Sequence, residues 1–298
     1  MKQRIPALLS PGDTIGLSAT ARFATKEMVE TAKKYIEAAG YKCYYHPSIL
    51  SQQGQVAGSR GERINSFNHL VHHSEVKAIW NIRGGYGSAE IVDSVDWTAL
   101  IREPKWLIGF SDFTTFLCHA FQKGLVALHA PMPVSFDSTF EADLKKVFAV
   151  LETGKFEQQL TAEGSKSDFS GTLIGGNLSV IYSIYGTPSL PSLSGCVLIL
   201  EDLDEYHYHL DRMLLALKRK GAFKGLKGVL LGTFSDIHDH STKWGDRLDY
   251  TLHKHFKDSG IPIALNLPLG HTERNVPLIT GIRVDVRNGK LSGNLSAN

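Results

Sequence analysis

The chain has 298 residues, 42% of them hydrophobic and 21% charged, with a formal net charge of +2. This composition belongs to a globular protein large enough for two domains and excludes a disordered chain. The small net charge provides no general basic surface for nucleic acid or an anionic membrane, and the cluster Lys218-Arg219-Lys220 reads as the solvated end of a helix.

Residues 1–6 lead through Pro11-Gly12-Asp13 into a strand, with no signal-type apolar stretch, and no apolar run is long enough to span a bilayer. A bacterial-type cytoplasmic location is the expectation. Residues 14–18 read as a strand, 25–39 as a helix closing at Gly40, 42–45 as a strand and 60–71 as a helix. Residues 76–80 form a third strand that opens into the loop Arg83-Gly84-Gly85-Tyr86-Gly87. A helix starts over 88–92, a strand follows at 106–108, and a helix at 113–122. This alternation predicts an α/β fold built on a parallel sheet with helices on its faces.

Residues 154–170 are polar with little apolar period and are expected to link a first domain, 1–153, to a second, 171–298. In the second, a strand at 172–174 runs into Gly175-Gly176-Asn177 and a helix over 178–185. A strand at 197–200, a helix at 210–220, a strand at 228–231 and short β-rich pieces around 281–286 complete the chain. Cys43, Cys118 and Cys196 are too scattered for a disulfide framework or a zinc site.

Open parallel sheets bind ligands beyond the carboxyl ends of their strands. Ser111 stands at such a point, between Trp106-Leu107-Ile108-Gly109-Phe110 and a helix. Glu201 closes the apolar run Cys196-Val197-Leu198-Ile199-Leu200, and His271 follows Leu267-Pro268-Leu269-Gly270. Taken alone, each has a plainer reading: a turn or N-cap serine, an acid favouring a following helix N-terminus, a hydrogen-bonded loop histidine. Together they carry the parts of a Ser-His-Glu hydrolase, in which a buried carboxylate fixes the imidazole tautomer and the imidazole activates the hydroxyl. Gly109-Phe110-Ser111-Asp112-Phe113 lacks the second glycine of the Gly-x-Ser-x-Gly elbow.

The Arg83 to Gly87 loop exposes backbone N–H groups suited to phosphate or to an oxyanion, and it matches neither the Walker nor the dinucleotide pattern. Gly175-Gly176-Asn177 serves either as a strand-to-helix turn or as a close backbone wall of a cleft. Among the 13 histidines, His238-Asp239-His240 is the best metal candidate and reads first as a solvated loop, while His253 and His255 do not share a helix face.

Gly12-Asp13-Thr14-Ile15-Gly16, Arg83-Gly84-Gly85-Tyr86-Gly87, Gly109-Phe110-Ser111-Asp112, Gly175-Gly176-Asn177-Leu178, Leu200-Glu201-Asp202 and Leu269-Gly270-His271 occur in this order across nearly the whole chain. Their order and spacing resemble the LD-carboxypeptidase family of serine peptidases, which includes murein tetrapeptide carboxypeptidases and microcin-immunity peptidases. The resemblance implies Ser111 as nucleophile, His271 as general base and acid, Glu201 as its orienting carboxylate, and an oxyanion hole from backbone N–H groups at Gly85 and Asp112. It implies an N-terminal Rossmann-like domain, a C-terminal β-rich α/β domain, an active site between them, and a homodimer. The implied substrate is a murein tetrapeptide, cut between diaminopimelate or L-lysine and a terminal D-alanine, without metal or organic cofactor.

Recognition of the terminal carboxylate is expected from Arg83, ahead of Arg212 or Arg274, with Gly84 and Tyr86 beside it. The run Glu205-Tyr206-His207-Tyr208-His209 is expected to be a loop that tunes the substrate side chain or packs the domain interface. The alternatives are a microcin-type peptide-nucleotide or acyl-sulfamoyl-adenylate amidase on the same scaffold, a noncatalytic murein-peptide binding protein, and, as a minor reading, a metal-dependent hydrolase.

Overall fold

Residues 3–160, 168–257 and 259–297 are described by the computed structural model. The apolar runs of the first half pair with one another as β1 (Thr14–Ser18), β2 (Lys42–Tyr45), β3 (Val76–Asn81), β4 (Trp106–Gly109) and β5 (Ala127–His129). They form a parallel sheet in the spatial order β5-β4-β3-β1-β2. Ile15, Leu17, Ile79, Trp80 and Ile108 are fully buried, as expected of strands covered on both faces. The covering helices are α1 (Lys26–Ala38), α2 (Arg60–His72), α3 (Ser88–Ile91), α4 (Trp97–Arg102), α5 (Thr114–Gln122) and α6 (Glu141–Thr153). Thr25 caps α1 through the Met28 N–H, and Ser59 with Glu62 closes a capping box on α2.

The second sheet is mixed. Its strands are β6 (Lys155–Gln159), β7 (Phe169–Asn177), β8 (Cys196–Leu203), β9 (Gly228–Ser235) and β10 (Ile263–Ala264), followed by β11 (Leu278–Thr280), which belongs to the first sheet, and by β12 (Arg283–Arg287) and β13 (Lys290–Asn294). β7 to β10 run parallel, and β12, β13 and β6 extend that sheet antiparallel. α7 (Leu178–Ile184), α8 (His207–Arg219) and α9 (Leu248–Lys257) supply residues to the apolar cluster on one face of the parallel part. A continuous core containing Trp80, Trp106, Val147, Leu173, Ile199 and Val284 joins the two sheets.

The α/β class, the N-terminal parallel sheet and the β-rich second sheet agree with the sequence. The expected linker does not stay a linker: residues 155–159 are β6 and residues 169–170 open β7, while 161–167 lie outside the described residues. In β6 only Phe156 is buried, because an edge strand carries polar side chains along most of its length. β11 crosses back from the C-terminal half and pairs antiparallel with β5. Gly175, Gly176 and Asn177 are the last residues of β7, not a turn, and α8 starts at His207, inside the run expected to be a loop. No helix among the described residues is long and apolar enough to cross a membrane.

Candidate active site

Ser111 leaves β4 through a sharp backbone turn. Phe110 is extended at φ −152°, and Ser111 then adopts φ +59° before the 3-10 turn Ser111–Phe113 and α5. A left-handed non-glycine residue costs about 1–2 kcal/mol, so the surrounding packing must hold it there. Gly109 makes that packing possible: a Cβ at this position would lie 2.7 Å from the Phe113 ring, which folds under the turn and stacks on Phe116. At the other side, a Cβ on Gly176 would lie 2.5 Å from Thr114 Oγ1, so the end of β7 presses directly on the start of α5.

The Ser111 hydroxyl donates to His271 Nε2 at 2.9 Å, and His271 Nδ1–H donates to Glu201 Oε2 at 2.7 Å. Glu201 is fully buried near the end of β8. Two glycines let the His271 segment pass over it. A Cβ on Gly232 would stand 2.5 Å from the Leu269 carbonyl, and Gly270, at φ +137°, has its Cβ position only 3.4 Å from Glu201 Oε2. The His271 ring rests against Phe110 at 4.7 Å between centroids.

The charges reinforce this geometry. Burial works against a charged His271, but the Glu201 charge and hydrogen bond, with the Asp202 charge behind them, outweigh it and raise the imidazole pKa. Asp202 is pushed up to about 7 by burial and then by Glu201, despite accepting from Asn177 Nδ2, Ser179 N and Leu203 N. Fully buried His129 is lowered to about 4 by desolvation. This neutral ring donates from Nε2 to Asn275 Oδ1 at 3.1 Å, the same oxygen that accepts from the Gly270 N–H at 3.4 Å, and so props the backbone before His271.

The glycine-rich loop closes over the serine from the end of β3. Asn81 Nδ2 holds the Arg83 carbonyl at 2.7 Å, and the Ser88 N–H is tied to Asp112 Oδ2 at 2.8 Å. Burial raises the Asp112 pKa. A Cβ on Gly84 would sit 2.9 Å from Ser111 Oγ, so its backbone lies against the hydroxyl. Gly84→Ala is therefore expected to displace the hydroxyl and cut turnover about 10²-fold with the fold retained. Rates measured alongside circular dichroism check this, and a rate within about twofold of wild type would separate Gly84 from the reacting oxygen.

Arg22 after β1, Arg83 after β3 and Ser111 after β4 meet at the carboxyl ends of adjacent strands. The resulting cleft of about 680 Å³ also receives Asp204 and His271 from the second half of the chain. A hydroxyl, an imidazole and a carboxylate in series at such a cleft can perform acyl transfer. Residues 15–130 match the LD-carboxypeptidase N-terminal domain, and residues 170–286 match the LD-carboxypeptidase C-terminal domain. The chain belongs to the LD-carboxypeptidase family.

Among its relatives is the probable murein peptide carboxypeptidase of Bacillus subtilis (strain 168), 30% identical over 93% of this chain and 90% of that protein. The microcin C7 self-immunity protein MccF of Escherichia coli is 25% identical over 96% of this chain and 94% of its own. The crystal structure of muramoyltetrapeptide carboxypeptidase from Oxalobacter formigenes superposes with a TM-score of 0.84 at 26% identity, covering 94% of this chain and 97% of that one.

Within this family framework, the structure brings Ser111, Glu201 and His271 together and places Arg83, Gly84 and Gly85 on the cleft wall. Asp112 follows Ser111 directly, is buried, and accepts the Ser88 N–H with its carboxylate. Tyr86 is different: it is 68% exposed and stands outside the residues that line the cleft. Arg212 lies over the Tyr208 ring and Arg274 is paired with Asp143, so neither reaches this wall. His238 donates to Asp204, and His240 packs against both Tyr206 and Tyr208. Arg22, Asp204 and Glu273 are cleft residues that sequence reasoning missed. Arg22 carried a usable signal, since it follows β1 just as Arg83 follows β3.

Proposed function

We propose that this family member is a cytoplasmic serine carboxypeptidase that hydrolyses the bond between an L-diamino acid and a terminal D-alanine of murein tetrapeptides during peptidoglycan recycling. The observation that carries the reading is the unbroken series Ser111 Oγ, His271 Nε2, His271 Nδ1 and Glu201 Oε2 at the cleft. Ser111 attacks the carbonyl carbon as His271 takes its proton, and Glu201 stabilises the imidazolium. Backbone N–H groups at Gly85 and Asp112 receive the developing oxyanion. His271 returns the proton to the departing D-alanine amine, and water, deprotonated by His271, releases the tripeptide from Ser111.

A carboxypeptidase must also recognise the free terminal carboxylate. Arg83 serves that end of the cleft, with Arg22 beside it. The Arg83 guanidinium is steadied by Nη1 donating to the Phe23 carbonyl at 3.2 Å and by the Phe23 ring beneath it.

The MccF relative, matched over nearly all of both chains, supports one second reading, an amidase for aminoacyl-nucleotide compounds on the same catalytic groups. Parallel assays with a lysine- or diaminopimelate-containing murein tetrapeptide and with an aminoacyl-sulfamoyl adenosine separate the two. Release of D-alanine from the tetrapeptide, with the nucleotide compound left intact, is the expected outcome. Cleavage of the nucleotide compound alone would replace the first reading with the second.

A further inference from the structure

The cleft is electrically divided. Arg22 and Arg83 stand on the wall built by the first sheet, and Asp204 and Glu273 on the wall built by the second half of the chain. Such a division suits a ligand with an anionic end and a cationic end in a fixed order.

Asp204 is the better organised of the two acids. It directly follows β8, the strand that carries Glu201, and adopts φ +55°, a left-handed conformation that needs support from its surroundings. That support is visible: its N–H donates to the Ser235 carbonyl at 3.1 Å, and its Oδ1 accepts from His238 Nε2 at 2.6 Å. His238 is itself held on both sides, since its N–H donates to the Glu205 carbonyl and its carbonyl accepts from the His207 N–H. The Asp204 side chain is nevertheless 75% exposed, so the bond from His238 aims the carboxylate without covering it. A carboxylate has about four acceptor positions, which leaves room for a further donor. Glu273 has an exposed side chain with no comparable tether among the described residues.

We propose that Asp204 is a specificity-determining residue, receiving a cationic side chain on the acyl side of the scissile bond. The assignment rests on the carboxypeptidase reading. With the leaving residue's carboxylate at Arg22 and Arg83 and the reacting carbonyl at Ser111, the acyl residue's side chain extends toward the opposite, acidic wall. An ammonium there pairs with the acceptor positions of Asp204 that His238 does not use, a neutral side chain of similar length leaves those positions to water, and an acidic one is repelled.

The test compares two murein tetrapeptides that differ only in the lysine before the terminal D-alanine, one with a free ε-amine and one Nε-acetylated. Wild-type protein is expected to favour the free amine by about three- to fivefold in kcat/KM, chiefly through KM, as befits a largely solvated charge pair. In Asp204→Asn this preference is expected to collapse toward one. Asparagine tolerates a left-handed backbone, so the substitution preserves the local conformation, and a general folding defect would lower both rates without changing their ratio. A preference equal in wild type and Asp204→Asn overturns the assignment while leaving the carboxypeptidase reading intact. If wild-type protein releases D-alanine from neither peptide, that reading fails and the assignment falls with it.

Discussion

Ser111→Ala is expected to lower kcat for D-alanine release from a murein tetrapeptide by about 10⁴–10⁶-fold, with little change in KM or in melting temperature. The size follows from losing the only group in the Ser111–His271–Glu201 series that can form the acyl intermediate; loss of a triad nucleophile typically has an effect of this order. The neutral effect on stability follows from the backbone. Serine and alanine meet similar strain at φ +59°, and Phe113, packed under Gly109, is untouched. Steady-state rates with thermal melts check both parts. A variant that kept a tenth or more of wild-type turnover would remove Ser111 from the chemistry.

Glu201→Gln is expected to reduce kcat about 10³–10⁴-fold, because an amide facing Nδ1 neither enforces the productive tautomer nor stabilises the imidazolium. It also carries a pH signature. His271 must be neutral to accept the Ser111 proton, so activity rises as pH passes upward through the imidazole pKa. In the wild type burial is outweighed by the Glu201 charge and hydrogen bond together with the Asp202 charge, which hold that pKa above its ordinary 6.5 and place the acid limb of kcat/KM above that value. Without the Glu201 charge, burial gains the upper hand and the limb shifts to lower pH. Asp202, pushed up to about 7, titrates in the same region and broadens the wild-type limb, since its ionisation further favours the charged imidazole. Profiles from about pH 5 to 9 check the sign. An acid limb at the same pH in both proteins would show that Glu201 does not set the base.

The three proposed catalytic residues were legible because each lies where an apolar run ends. Strand-turn-helix patterning identified the position of Ser111, although its positive φ depends on the three-dimensional fit of Phe113 beneath Gly109. The acidic run after Leu200 was harder to divide. Both Glu201 and Asp202 are buried, but only Glu201 meets the imidazole, whereas Asp202 accepts from Asn177, Ser179 and Leu203.

What local sequence could not reveal was long-range pairing. β6 has one buried apolar residue and reads as polar linker until β13 lies beside it, and β11 is too short to announce that it completes the first sheet. Tyr86 shared a motif with Gly84 and Gly85, yet it is exposed and stands outside the residues that line the cleft. Asp204, directly after β8, and Glu273, two residues beyond His271, line the cleft from the second half of the chain.

The most direct measurement is active-site labelling with a fluorophosphonate, followed by peptide mapping and assay of D-alanine release from a murein tetrapeptide. The account predicts one label per chain, located on Ser111, with activity lost in proportion to labelling. Full D-alanine release after exhaustive treatment, or inactivation by a label on another residue, would contradict it.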